Sequence, residues 1–283
     1  MAGPANPTGD PRGEVRTAQS FDGTPIAYEV AGDGAPLVLL HGFLAGRRTF
    51  SRQRTELARR FRLILVSSRG HDGTGTERPV NYGVGSSDVD DLRAVLDAEG
   101  IECASFLGHS SGGATAFSFA CRYPDRVSRM VLVEPTLLRL LHPADRARFS
   151  GDFERVIAAG TSGGPDAALR EVMTVLGGQS WAALPQDDKE ARLRAVSGVA
   201  PLVAPHFQGL LDLKVTDSDV AGLRPPAMLV YGQASFPFER FIADRFRALR
   251  PDLPISVIDD GGHNIHRDRW EIFNALAIPF LEC

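Results

Sequence analysis

One octapeptide constrains this chain more than any other stretch: Phe106-Leu107-Gly108-His109-Ser110-Ser111-Gly112-Gly113. The run before it, Cys103 to Leu107, is short, apolar and β-prone, while Ala114 to Tyr123 carries Phe117, Phe119 and Ala120 at helical spacing. A strand therefore turns into a helix within a Gly-x-Ser-x-Gly pattern. So tight a turn packs the residues beside Ser110 against neighbouring backbone, which hydrogen side chains at Gly108 and Gly112 permit. The Ser110 hydroxyl is then held out at the sheet edge as a candidate nucleophile; the alternative is a plain helix N-cap. A second match, Gly160-Thr161-Ser162-Gly163-Gly164, lacks that context. Phe153 to Ala159 before it has helical spacing and no apolar helix opens directly after it, so Ser162 is set aside.

The rest of the chain supplies the sheet. Glu14 to Ser20 and Ile26 to Val30 are predicted as two antiparallel edge strands joined by the hairpin signal Asp22-Gly23-Thr24. Leu37 to Leu40, Leu63 to Val66, the strand before Ser110, Arg129 to Val133, Ala227 to Tyr231 and Ile255 to Ile258 follow as short apolar strands. Helices are expected at Thr49 to Arg60, Asp88 to Glu99, Phe238 to Leu249 and Arg267 to Leu281. This alternation predicts an α/β fold, a mostly parallel eight-stranded sheet with helices on both faces. From Thr136 to about Val220 only helical patterns occur, such as Phe149 to Ala159, Asp166 to Leu176 and Asp187 to Val196. That stretch is too long for a simple loop and predicts an all-helical cap. The expected organisation is a loose arm over 1–13, a core from 14–135 and 221–283, and a cap over 136–220.

Composition narrows the partners. At 283 residues with 43% hydrophobic content, the chain has material for one large domain carrying an insertion. Its net charge of −4, with signs mixed, offers no stripe for nucleic acid and no polybasic patch for a membrane. A small-molecule partner is expected, and nothing opposes a homodimer. Cys103, Cys121 and Cys283 have neither metal-ligand nor disulfide spacing, and the first two read as small buried residues of a reducing compartment. Met1 to Gly13 lacks the apolar run of a signal peptide, so a cytoplasmic address is expected.

A serine hydroxyl is a poor nucleophile until a base takes its proton. His263 is the best candidate, because it follows Gly261-Gly262 in the loop after the last strand, at the same sheet edge as Ser110. The other histidines read as structural, with His206 able to line a pocket. The base needs a carboxylate to fix its tautomer. The loop after the Ala227 to Tyr231 strand reads Gly232-Gln233-Ala234-Ser235, where this architecture most often places an aspartate, and Ser235 carries no charge. Glu134 ends the strand that follows the nucleophile helix, in an apolar stretch where an unpaired carboxylate is costly. It is the leading candidate, with Asp259, Asp260 and Glu239 as alternatives. The amides of Ser111 and of Phe43, in His41-Gly42-Phe43, are placed to meet a developing oxyanion. Neither a metal nor a cofactor is called for.

With these residues in hand, the chain resembles the α/β-hydrolase superfamily, from His41-Gly42-Phe43 through Gly108-His109-Ser110-Ser111-Gly112 to Gly261-Gly262-His263. A glutamate after the sixth strand is similar to the arrangement in some haloalkane dehalogenases and in zearalenone-type lactonases. The dehalogenases use an aspartate nucleophile, so Ser110 argues for ester or lactone hydrolysis. The lactonase resemblance also covers Ser110 to Thr115, Glu134 to Leu138 and Gly232 to Phe236. It implies a serine esterase or lactonase acting through an acyl-enzyme, with a cap aromatic on the substrate, for which Trp181 is the candidate. Leu44, Leu202, Phe207 and Phe236 complete the expected apolar lining. Carbon-carbon bond hydrolysis and a non-catalytic ligand-sensing pocket are the rival readings.

Overall fold

The computed structural model describes residues 13–72, 74 and 83–282, so the expected arm, apart from Gly13, and Cys283 lie outside the described residues. The strands are β1 (Glu14–Gln19), β2 (Pro25–Ala31), β3 (Ala35–Leu40), β4 (Phe61–Val66), β5 (Ala104–His109), β6 (Val127–Val133), β7 (Ala227–Gly232) and β8 (Ile255–Ile258). They form one eight-stranded sheet in the order β1-β2-β4-β3-β5-β6-β7-β8. β1 and β2 pair antiparallel, β2 runs antiparallel to β4, and every pairing from β4 to β8 is parallel.

The helices are α1 (Ser51–Leu57), α2 (Ser87–Ala98), α3 (Ser111–Arg122), α4 (Pro143–Ala182), α5 (Gln186–Ala195), α6 (Ala200–Asp212), α7 (Asp217–Ala221), α8 (Pro237–Leu249), α9 (Ile265–Asp268) and α10 (Trp270–Glu282). Alternation along the buried strands divides the core in two. Leu37, Leu39, Leu63 and Leu65 face Phe50 and Leu57 beneath the sheet, with Phe273 and Ile278 of α10. Val38, Leu40, Ile64 and Val66 face the opposite layer, built on α2, α3 and α8 and continued by Phe153, Phe207 and Leu210 of the helical insertion.

The insertion departs in detail from its sequence reading. The two helices expected at Phe149 to Ala159 and Asp166 to Leu176 belong to one helical run, α4, whose backbone breaks at Gly164 (φ 79°) and Gly178 (φ 47°). Glycine relieves the steric cost of these left-handed positions, and Pro165 directly after Gly164 reinforces the first break. Ser162 of the second serine pattern lies inside this run with its hydroxyl donating to Ala158 O (2.9 Å). α6, which carries Pro201 and Pro205, was not among the expected helices. The stretch Thr49 to Arg60 divides into a 3-10 turn, Arg47–Phe50, followed by α1. Cys103 and Cys121 are exposed, not buried: one lies in the turn before β5, the other near the end of α3 on its outer side.

All five non-glycine residues with positive φ among the described residues lie just past the C-terminal end of a parallel strand: Leu44 after β3, Asp72 after β4, Ser110 after β5, Glu134 after β6 and Asp260 after β8. Left-handed backbone of this kind costs free energy and persists only where the surroundings impose it.

Candidate active site

The parallel register brings two of these strained residues together. His109 pairs with Val133 and Val133 with Val230, so Ser110 and Glu134 are the next residues along adjacent strands. The ladder continues through them, as Ser110 N–H donates to Val133 O (2.8 Å) and Glu134 N–H to Val230 O (3.0 Å). Ser110 has φ 54° and ψ −121° at the head of α3. A methyl group at Gly112 would meet Leu40 O at 2.3 Å, and one at Gly108 would meet Gly112 O at 2.5 Å, so neither position accepts a larger residue without backbone movement.

Glu134 is fully buried and its two oxygens take three donors. His263 Nδ1–H donates to Oε2 (2.5 Å), Ser235 Oγ–H donates to the same atom (2.5 Å), and Gly232 N–H donates to Oε1 (2.7 Å). With Nδ1 as the donor, Nε2 is the basic nitrogen of His263. Ser235, in the loop where this architecture most often places an aspartate, bonds the glutamate from the neighbouring strand. Of the alternative carboxylates, Asp260 is an exposed residue facing Arg269, whereas Glu239 is buried beside Glu134.

Ser110 Oγ lies 3.3 Å from Thr136 Oγ1. In this rotamer it makes no hydrogen bond to His263, a contact that in such sites commonly tightens only with substrate in place. The Ser111 N–H opens α3 and has no acceptor within the helix. The Phe43 N–H donates to Ser111 Oγ (3.1 Å), so a carbonyl oxygen entering there shares or displaces that hydroxyl.

Several neutral imidazoles hold this frame. His71 Nε2 accepts the Leu44 N–H (3.1 Å), and burial lowers the pKa of His71. His41 donates from Nδ1 to Gly42 O (2.8 Å) and accepts the Ser68 N–H at Nε2 (3.1 Å); burial, then the neighbouring His71, lowers its pKa to about 3. His206 of α6 stacks on Phe43 with ring centroids 4.0 Å apart. His109 donates from Nε2 to His263 O (2.8 Å), and burial holds it well below the usual histidine range. Sequence reasoning passed over Thr136, His109 and His71 as site neighbours; adjacency of His109 and Thr136 to Ser110 and Glu134 was the available signal.

A cavity of about 530 Å³ opens above Ser110 and His263. Phe43, Leu44, Phe207 and Phe236 line it as expected, together with Phe149, Phe153, Met173, Phe238, Asn264, Arg192 and Arg267. Trp181 and Leu202 do not. The Trp181 side chain is buried against Gly177 in the insertion, and Leu202 covers Gly70 outside the cavity. A larger depression of about 690 Å³, between Gly85, Phe117 and Leu213, contains none of the candidate residues. Donor atoms of Glu134, Glu239 and His263 lie within 4.8 Å of one another, a grouping compatible with a cation. The direct bond between Glu134 and His263 suits an oriented base better than a chelate. No helix among the described residues is long and apolar enough to cross a membrane.

Curated relatives share part of this chain. Uncharacterised proteins of Mycobacterium tuberculosis are 35% identical over 109 residues, 38% of this chain, and the match spans only about a third of their length, 31%. The 2-hydroxy-6-oxo-2,4-heptadienoate hydrolase of Pseudomonas putida is 38% identical over 105 residues, 36% of this chain and 38% of that protein. Among solved structures, a thermophilic esterase from Thermogutta terrifontis superposes with a TM-score of 0.75 at 23% identity, covering 95% of this chain and 98% of the esterase. The family model described as alpha/beta hydrolase fold matches residues 35–269, which hold six of the eight strands, β3 to β8, and the whole insertion. With that match and the eight-stranded sheet carrying Ser110 at the turn after β5, the chain belongs to the α/β-hydrolase fold family.

Proposed function

We propose that this protein is a serine hydrolase of carboxylic esters or lactones with an apolar acyl or aromatic portion. One observation carries the reading: Ser110 stands at the apex of a strained turn in the same cavity as His263, whose Nδ1 is held 2.5 Å from the buried Glu134 carboxylate. In the proposed cycle, Ser110 Oγ bonds to the substrate carbonyl carbon as its proton passes to His263 Nε2. The carbonyl oxygen takes the negative charge and is met by the Phe43 and Ser111 N–H groups. Collapse breaks the bond to the leaving alkoxide, which takes the proton from His263. Water then repeats the sequence on the acyl-enzyme and releases acid and free Ser110. Glu134 orients the imidazole and balances the charge of the imidazolium, without itself taking the proton. Phenylalanines in the lining favour a substrate whose body is apolar.

The test is fluorophosphonate labelling, and hydrolysis of p-nitrophenyl acetate, butyrate and octanoate, by the parent and by Ser110→Ala. Labelling and turnover should both vanish in the variant; turnover that survives removes Ser110 from the mechanism. Carbon-carbon bond hydrolysis is the second reading, favoured by the 38% identity to a 2-hydroxy-6-oxo-2,4-heptadienoate hydrolase and by Arg192 and Arg267 in the lining, which suit a substrate carboxylate. Turnover of a 2-hydroxy-6-oxo-dienoate well above that of p-nitrophenyl butyrate would favour it.

A further inference from the structure

Glu239 has no part in the cycle above, yet it is among the most deeply buried polar residues in the chain, with 1% of its surface exposed. It sits in the first turn of α8, just after the Gly232 to Phe236 loop. Its carboxyl oxygens, those of Glu134 and the ring nitrogens of His263 include atoms within 4.8 Å of one another. Glu239 Oε1 has no hydrogen-bond partner. Glu134, by contrast, has all three of the donors present: the imidazole, the Ser235 hydroxyl and the Gly232 amide.

Two carboxylates this close, out of water and with donors serving only one, do not both ionise. The charged groups around Glu239 do not change that. Arg240 and Arg247 on its own helix pair with Asp244, and Arg245 pairs with Asp217 of α7, all at the surface. Asp219 of α7 is held in that helix's own cap by Thr216. Arg139, in the turn after β6, and Arg148 and Asp152 of α4 are exposed, and Tyr231 is the titratable residue of β7. The N-terminus of α8 favours a negative charge, but no N–H donates to this side chain. Burial first, then the Glu134 charge, push the Glu239 carboxyl well above the usual range.

We infer that Glu239 is a positioning residue of the same site, a carboxylic acid that keeps its proton beside Glu134 so that the pair presents one negative charge to His263. The consequence rests on the serine-hydrolase reading. One charge steadies the imidazolium as it forms and still lets it give up its proton to the leaving group. A second charge at this distance holds the proton on the ring and withdraws the base.

The experiment reads Glu239 directly and then through His263. Infrared difference spectra of the parent minus Glu239→Gln at neutral pH should contain the stretch of a protonated carboxyl; the neutral Asp88, also raised, to about 8, cancels because both proteins keep it. The fluorophosphonate labelling rate of Ser110, followed against pH, should fall in the parent at alkaline pH as Glu239 ionises, and that fall should be absent in Glu239→Gln. Should that variant not fold, Glu239→Met, of similar volume, takes the same readings. Absence of the carboxyl band, an unchanged alkaline fall, or a downward move of the acid limb by about one pH unit, a tenfold change in proton affinity, would overturn the inference. The spectrum needs no activity, so failure of Ser110 to label would end the hydrolase reading while still measuring Glu239.

Discussion

Glu134→Gln keeps the shape of the buried side chain and removes the charge that holds His263, and the surrounding donors set the size of the effect. Three N–H or O–H groups point at the two oxygens of Glu134: His263 Nδ1 and Ser235 Oγ at Oε2, and Gly232 N at Oε1. An amide has one oxygen, so its NH2 must face a donor in either orientation. With the amide oxygen on Gly232, the NH2 meets His263 Nδ1 and drives the ring proton to Nε2, the nitrogen that the proposed cycle uses as its base. A base held in the wrong tautomer costs a serine protease about 10⁴-fold in kcat, so a loss of about 10³–10⁴-fold is expected here, roughly 4–5.5 kcal/mol at 1.36 kcal/mol per decade. Ser235 reaches the same oxygen as His263 does, so adding Ser235→Asp to Glu134→Gln supplies a carboxylate to Nδ1 from the next strand. At least ~10-fold of the lost rate should return, a barrier change of about 1.4 kcal/mol. Ser235→Asp alone should lower the rate, because it sets a second carboxylate against Glu134 Oε2. The assay is kcat for p-nitrophenyl butyrate, with circular dichroism melts confirming that each variant is folded. A Glu134→Gln enzyme within tenfold of the parent, or a double variant no faster than the single one, would refute the reasoning.

Three further outcomes follow from the same coordinates. Gly112→Ala sets its methyl 2.3 Å from Leu40 O and 2.6 Å from His41 O; with backbone on both sides, thermal or urea unfolding should show a loss of about 3 kcal/mol, and a variant as stable as the parent would mean the turn has slack. Burial, then Asp91, raise the Asp88 carboxyl to about 8 from 3.8, so the folded chain binds a proton that the unfolded chain has released, and stability drains away as pH rises from about 4 to 8. Asp88→Asn should remove that slope, at most about 1.4 kcal/mol per pH unit, leaving stability below pH ~4 unchanged; an identical pH dependence of Tm in both proteins would refute it. Burial depresses His41 and His266 to about 3 and lowers His71, His109 and His206 as well. The unfolded chain takes up these protons first, so the contribution of these histidines to stability should be full above pH ~6.5 and fall steeply towards pH 3, with proton uptake on unfolding at acid pH measurable by calorimetry in buffers of different ionisation heat.

Strand-to-helix turns were legible in the sequence because their cause is local. The contacts that require hydrogen side chains at Gly108 and Gly112 lie within the turn or on the adjacent strand, and the apolar runs before Ser110 and Glu134 announce buried parallel strands. The meeting of Glu134 with His263 could be reasoned from strand order alone, since both follow strands that end on one edge of the sheet. The insertion was less legible. α6 carries Pro201 and Pro205, which read as breaks, yet Pro201 falls in its first turn and costs little there. Trp181 was assigned to the cavity because the lactonase resemblance implies a cap aromatic on the substrate; three residues after the helix break at Gly178, it is buried in the insertion instead. Which face of a helix meets the sheet depends on packing between distant segments, and the sequence carries no register for that as strands do. Glu239 was named only as an alternative to Glu134, because its burial beside a carboxylate 105 residues earlier in the chain is likewise set by packing between distant segments.

What the site holds constant is a point in space above the sheet, not a place in the chain. Adjacent parallel strands lie about 4.8 Å apart, so the ends of β6 and β7 are both within a side chain's reach of the His263 ring. A carboxylate delivered from β7 needs only the length of an aspartate at the position of Ser235. From β6 the reach is longer, and Glu134 covers it with one more methylene and a left-handed backbone at φ 48°. That backbone position is costly for a glutamate. It is imposed by the strand ladder on one side and by three hydrogen bonds to the carboxylate on the other, the Ser235 hydroxyl among them. The serine thus occupies the geometric seat of the acid while acting as its donor. Strain at Glu134 and at Ser110 is the cost of aiming both side chains over one edge, and the rigidity of the parallel ladder beneath them is what allows the chain to bear it.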